Sequence, residues 1–216
     1  MRSIQDICSS IGLTYPRTLI ECGAAHPATY RLGHYVNEGR AKVILVEANP
    51  RLYYCLTQGF EWGNFQREWP NIVSPPHEYA PVSGPLVRIV HAAVVDEIGT
   101  GTIKLYECNA SSFVGGTNSP ARINDRYIEQ DKDAYEVPTI TIDRLDDGEV
   151  DVLLADVEGS EWFCIKHLIS RPRLIVLEMK GQSYVNPHAD EIDNWMKENG
   201  YQELESDATD VAWRKT

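Results

Sequence analysis

The chain has 216 residues, of which 20 are Lys or Arg and 32 are Asp or Glu, for a formal charge of −12. Such a balance disfavours nucleic acid as a partner, because grip on a phosphate backbone comes from clustered cations. No apolar run approaches a membrane span, and Arg2, Gln5 and Asp6 interrupt any signal-peptide reading, so a cytoplasmic protein without a membrane partner is expected. With no Pro/Gly/Ser-rich linker or composition break, residues 1–216 read as one domain. Cys8, Cys22, Cys55, Cys108 and Cys164 are widely spaced with no CxxC pair, which suits free thiols and demands no metal.

In chain order, Ile4, Ile7, Cys8 and Ile11 recur at helical spacing, so residues 1–16 hold a short amphipathic helix that packs on the core or forms a lid. Arg17 to Cys22 is a short strand running into Gly23, Ala24 and Ala25. Pro27 suits the first turn of a helix, which continues through Leu32, Tyr35 and Val36 to Gly39. Lys42 to Val46 is a second strand, ending at Glu47, and a helix follows through Leu52 and Leu56 to Gly59. Residues 61–85 lack a steady period and read as a loop. Leu86 to Val94 is a strand, expected to form a hairpin with Ile103 to Tyr106, and residues 107–136 are the most loop-like segment, expected to shape a substrate pocket.

The run from Val150 to Ala155 is almost uncharged and ends abruptly in Asp156, Glu158 and Glu161 around Gly159, as a strand buried on both faces would. A helix follows through Trp162, Ile165 and Leu168, then a strand from Leu174 to Leu177 ending at Glu178. Asn186 and Pro187 open a helix carrying Ile192, Trp195 and Met196, and Tyr201 to Glu205 and Asp210 to Arg214 close the chain as antiparallel strands. Strand alternating with helix means an α/β protein with a parallel sheet covered by helices on both faces.

Ligands of such sheets sit beyond the carboxyl ends of the strands. Here those ends are Glu21 to Ala25, Glu47 to Asn49, His91 to Ala93, Asp156 to Gly159 and Glu178 to Lys180. Glu47 occupies the position where a ribose diol is commonly held, and small residues around Gly23 allow a ligand close to the backbone. Only one glycine of a GxGxxG pattern is present, so an adenosyl group with a small tail fits better than a dinucleotide, and a nicotinamide oxidoreductase is disfavoured.

These residues, Glu21-Cys22-Gly23-Ala24, Val46 to Pro50, His91 to Val94 with Gly99, and Asp151 to Glu161 with Glu178, resemble the FkbM-type methyltransferases from about Thr18 to the C-terminus. The resemblance implies a Rossmann-like, doubly wound, mostly parallel seven-stranded sheet with an antiparallel C-terminal strand. It also implies S-adenosylmethionine as cofactor and methyl transfer to a hydroxyl of a small molecule or glycan. By position, Glu21, Gly23 and Ala24 would lie along the methionine part, Glu47 and Asn49 at the ribose, and Ala92 and Ala93 near the adenine. Asp156 and Glu158 would face the acceptor. The chain departs from the family's GANxG pattern at Ala25 and Pro27, and has Leu154 where relatives often have Lys. Those departures motivate an alternative, a catalytically degenerate protein of the same fold that binds an adenosyl ligand or a partner.

Asp156 and Glu158 lie two residues apart at a strand end and could act as general base, orienting acceptors or cation ligands. The plainer reading has them capping the helix that starts near Ser160. Glu178 could line the acceptor pocket or pair with Lys180, and His91 at a strand end is a weaker base candidate than a hydrogen-bonded structural residue. Tyr106, Asn109, Ser111 and Ser112 are further candidates for ligand contact on the pocket loop.

Overall fold

The structure is a computed structural model that describes residues 1–27, 29–61, 78–99, 101–108, 111–130, 132 and 134–216. Its first half contains α1 (Ile4–Ser10), β1 (Thr18–Cys22), α2 (Gly33–Glu38), β2 (Lys42–Glu47), α3 (Pro50–Gln58), a two-residue ladder of β3 (Phe60–Glu61) with β4 (Glu78–Tyr79), β5 (Val87–His91) and β6 (Ala93–Val94). It continues with β7 (Thr102–Cys108), β8 (Ser111–Val114), α4 (Pro120–Asn124), β9 (Ala134–Ile140), β10 (Val150–Ala155), α5 (Glu161–Ile165), β11 (Leu174–Glu178), α6 (Ala189–Glu198), β12 (Tyr201–Ser206) and β13 (Asp210–Lys215).

Seven strands form the main sheet in the order β12-β13-β11-β10-β1-β2-β5. Neighbours from β11 to β5 are parallel, and β13 runs antiparallel to both β11 and β12. The apolar runs read from the sequence are central strands because both of their faces are covered. Ile20, Ile44, Leu153 and Ile175 pack with Ile165 of α5 and Ile192 and Met196 of α6. On the other face Leu19, Val43, Leu154 and Val176 pack with Ile7 of α1, Tyr35 of α2 and Leu56 of α3. The N-terminal helix therefore takes the core-packing option rather than that of a lid, burying Ile4, Ile7 and Cys8.

After β1 the chain builds outward through β2 and β5, then returns to place β10 on the other side of β1. That reversal puts the switch point between β1 and β10. Cys22 stands level with Val46 on one side and Ala155 on the other, so the carboxyl ends of the three central strands share one edge.

Three expectations are corrected. The strand expected from Leu86 to Val94 breaks at Ala92, and β7 makes no hairpin with it: β7 pairs antiparallel with β9 and β8, while β6 pairs parallel with β9. This four-stranded sheet has its own small core of Ala93, Val95, Leu105 and Val137. Residues 107–136, expected as loop, consequently hold the end of β7, β8, α4 and the start of β9. The helix expected from Pro27 begins only at Gly33, because the Glu21 carboxylate accepts the amides of Arg31 and Leu32 and holds the chain in a turn before it. Of the loop expected over 61–85, residues 62–77 lie outside the described residues, as does Asn109.

Candidate active site

The site begins with one glycine. Gly23 has φ +82°, and a Cβ there would lie 1.8 Å from the carbonyl oxygen of Asp156. No side chain fits, so the loops after β1 and β10 can touch only at a glycine; the Asp156 amide also donates to Cys22 O at 3.0 Å. Two residues on, Ala25 holds φ +57°, an uncommon left-handed backbone for a residue with a Cβ. Its amide donates to Glu47 Oε2 at 2.7 Å, and the Asn49 amide donates to Oε1 at 2.7 Å. Glu47 thus ties the β1 and β2 loops together. Burial pushes its carboxyl up to about 7 against the opposing pull of these amides.

A cavity of about 770 Å³, open space at its mouth included, follows this edge. Its polar wall is Gly23, Ala25 and Glu47, and an apolar slot is formed by Leu52, Ala92, Ala93 and Leu105, the last from β7. Asp156, Glu158 and Ser160 form the far wall. Size and lining are those of a small-molecule site with a few convergent polar groups.

The far wall is strongly acidic. Asp156 is exposed to the cavity yet set among enough protein that desolvation pushes its carboxyl up, with Arg31 opposing. Glu158 adopts φ +58°, and burial raises it to about 7 although the Ser111 hydroxyl donates to it. Glu178 is pushed up to about 9 by burial and then by Asp156, Glu158, Glu161 and Asp210. No ion pair joins it to Lys180, and it is not among the residues lining the cavity. Arg31, a cation of this region, pairs with Asp210 at 2.6 Å, with Glu21 at 3.9 Å, and its Nη2 is buried without a hydrogen-bond partner.

Seven of the expected residues line the cavity together: Gly23, Glu47, Ala92, Ala93, Ser112, Asp156 and Glu158. The others are placed nearby with different work. Glu21 holds the turn before α2, and Ala24 is buried in the core with its amide on Val46 O. Asn49 caps α3, its Oδ1 accepting the Arg51 amide at 2.9 Å while its Nδ2 donates to Ser112 Oγ at 2.8 Å. His91 stacks on Tyr53 with its Nε2 3.1 Å from Ala48 O, and Tyr106 packs on Phe113 inside a small cluster. Ser111 acts on Glu158.

No side chain caps the helix after β10, so the capping reading of Asp156 and Glu158 does not hold, and the carboxylate that ties this loop is Glu161. Fully buried, it accepts the amides of Val157 at 2.9 Å and Gly159 at 3.1 Å and a hydrogen bond from Asn186 Nδ2. This frees Asp156 and Glu158 to face the cavity. Ser160 on the lining, and Arg31 and Asp210 beside the acidic wall, were not singled out from sequence; a residue such as Arg31 carries no spacing signal, because it reaches Asp210 from a turn before α2.

A parallel α/β sheet with its cavity at the switch point defines a nucleotide-style ligand-binding class. Within that class, a family model for the methyltransferase FkbM domain matches residues 21–203, and the chain belongs to that family. A search of curated proteins finds no match. Among solved structures, a provisionally assigned caffeoyl-CoA O-methyltransferase from Staphylococcus aureus superposes with a TM-score of 0.49 at 10% identity, over 99% of this chain and 81% of that one.

Proposed function

We propose that this chain is an S-adenosylmethionine-dependent O-methyltransferase acting on a hydroxyl of a small molecule or sugar. The observation that carries the reading is the division of one cavity into a Glu47-walled apolar half and an acidic half around Asp156 and Glu158. The residues fit the cofactor. Glu47, which accepts the amides of Ala25, Ala48 and Asn49, keeps one lone-pair site of its four for a ribose hydroxyl. Leu52, Ala92 and Ala93 suit an adenine face, and the Gly23–Ala25 backbone suits the amino-acid tail. When bound, S-adenosylmethionine supplies an electrophilic methyl group on a sulfonium.

Asp156 would orient the acceptor hydroxyl and the Glu158 carboxylate would take its proton, the methyl carbon exchanging its bond to sulfur for one to oxygen and the sulfur departing as a neutral thioether. A carboxyl near 7 is suited to take a proton at neutral pH. Most of the acceleration in such a transfer comes from in-line positioning, which the two walls provide. The only partner this reading requires is the small-molecule or glycan acceptor.

Calorimetry with S-adenosylmethionine, S-adenosylhomocysteine and NAD tests the cofactor assignment. Binding of both adenosyl ligands and not of NAD is expected; silence with both defeats the proposal. Glu47→Ala should lose at least ten-fold in cofactor affinity. Asp156→Ala and Glu158→Gln should lose about 10²-fold or more in turnover with affinity largely kept. Equal behaviour of the three variants would show that the cavity is not divided as described. Ligand binding by the wild type without methylation of any hydroxylated acceptor would support the degenerate alternative, towards which the strained Ala25 points.

A further inference from the structure

The small sheet brings one polar side chain to the cavity. Side chains alternate along β8, so Ser112 and Val114 line the cavity while Phe113, between them, is buried in a separate cluster with Tyr106 and Ala121. Val114 stands opposite Leu105 of β7, and Ser112 meets the first turn of α3. Ser112 therefore sits at the rim of the apolar slot.

Asn49 fixes the direction of its hydrogen bonds. As the cap of α3, Asn49 Oδ1 accepts the amides of Arg51 at 2.9 Å and Leu52 at 3.4 Å. A backbone amide can only donate, so the oxygen must face α3 and Nδ2 must face Ser112. Nδ2 donates to Ser112 Oγ at 2.8 Å, and Asn49 is 1% exposed, with no room to turn over. Ser112 is thus an acceptor on its protein side, and its one proton is left over. Among the described residues no group takes that proton. Glu107, opposite Ser112 on β7, instead accepts the Tyr135 hydroxyl at 2.9 Å. Ser112 is half-buried, and its hydroxyl offers a donor to the cavity.

The other polar side chains of the lining do not offer one there. Glu47, Asp156 and Glu158 are carboxylates, and Cys22 and Ser160 are buried. Glu47 matches a ribose hydroxyl, which can donate to it. The bare ring nitrogens of an adenine can only accept, and a carboxylate gives them nothing. Sinking the base between Leu52, Ala92, Ala93 and Leu105 without a donor would strand such a nitrogen away from water.

We propose that Ser112 determines specificity in the cofactor site, its hydroxyl donating to a ring nitrogen of the adenine. The proposal rests on the methyltransferase reading and adds to it a task for the small sheet. Glu47 of the main sheet accepts from the ribose, and β8 donates to the base. The base is then read by hydrogen-bond polarity as well as by the shape of the slot.

Calorimetry on the full chain compares S-adenosylhomocysteine with its monodeaza analogues, each of which replaces one bare ring nitrogen by C–H. Ser112→Ala should bind S-adenosylhomocysteine roughly three- to ten-fold more weakly than the wild type does. One analogue, lacking the nitrogen that is read, should bind wild type and Ser112→Ala within about two-fold of each other, and the remaining analogues should keep the full loss. Equal binding of that one analogue also shows that the variant is folded. Ser112→Thr, which keeps the hydroxyl on a strand, should retain most of the wild-type affinity. Ser112→Ala binding S-adenosylhomocysteine as tightly as the wild type, or losing the same factor with every analogue, overturns the proposal. A wild type that does not bind S-adenosylhomocysteine defeats the methyltransferase reading first; one that binds it without dependence on Ser112 leaves that reading standing and removes this assignment alone.

Discussion

At the scale of single residues, the left-handed backbones of Ala25 and Glu158 stand on opposite walls of one cavity. A left-handed residue with a Cβ costs roughly 1–2 kcal/mol, and Asn carries less of that cost because its short side chain bonds locally. Ala25→Asn should therefore stabilise the protein by up to about 1 kcal/mol, roughly 2–4 °C in Tm, read by thermal unfolding. An unchanged or lower Tm would mean that the surrounding loop, held by the Ala25 amide on Glu47, does not carry strain. Gly23, Glu47, Asp156 and Glu158 were legible in the sequence because they sit where strands end in abrupt polarity. Glu161 was not, since its work is to accept amides of its own loop, and nothing in the spacing distinguishes a loop-tying carboxylate from one facing a ligand.

Among the elements, the turns after β1, β2 and β10 are each held by a buried carboxylate, and this sets a pH dependence. Burial raises Glu21, Glu47 and Glu158 to about 7 and Glu161 to about 8, from 4.5 when unfolded. Between those values the folded chain binds more protons than the unfolded one, so stability is fully present below about pH 4.5 and falls as pH rises through 7 to 8. His26, lowered by burial, works in the opposite sense, as a single group. The urea midpoint of the ligand-free protein should decline from pH 5.5 to 8.5, and Glu161→Gln should flatten part of that decline. A midpoint that climbs over this interval would contradict the burial of these groups. The core strands were readable because parallel strands covered on both faces leave continuous apolar runs such as Val152 to Ala155. The small sheet of β6 to β9 was not readable, because its pairing of Leu105 with Tyr135 and of Ala93 with Thr139 is set by partners distant in sequence.

For the molecule as a whole, a ligand that binds only the folded state raises its stability by mass action. S-adenosylhomocysteine at a hundred times its Kd should add about 2.7 kcal/mol, roughly 5–11 °C in Tm, where NAD adds nothing. A thermal shift with NAD equal to that with the adenosyl ligand would point to a different occupant. The α/β class and the acidic edge were both visible in the sequence. That the edge splits into two halves was visible only in part, because strand order decides which strand ends stand side by side. The contact of Gly23 with the Asp156 carbonyl joins those halves by backbone alone, with no side chain to yield between them. Occupants of the two halves therefore face each other across one backbone contact. Whatever factor an occupant at the Gly23 end changes the affinity of one at the Asp156 end, the second must return the same factor to the first.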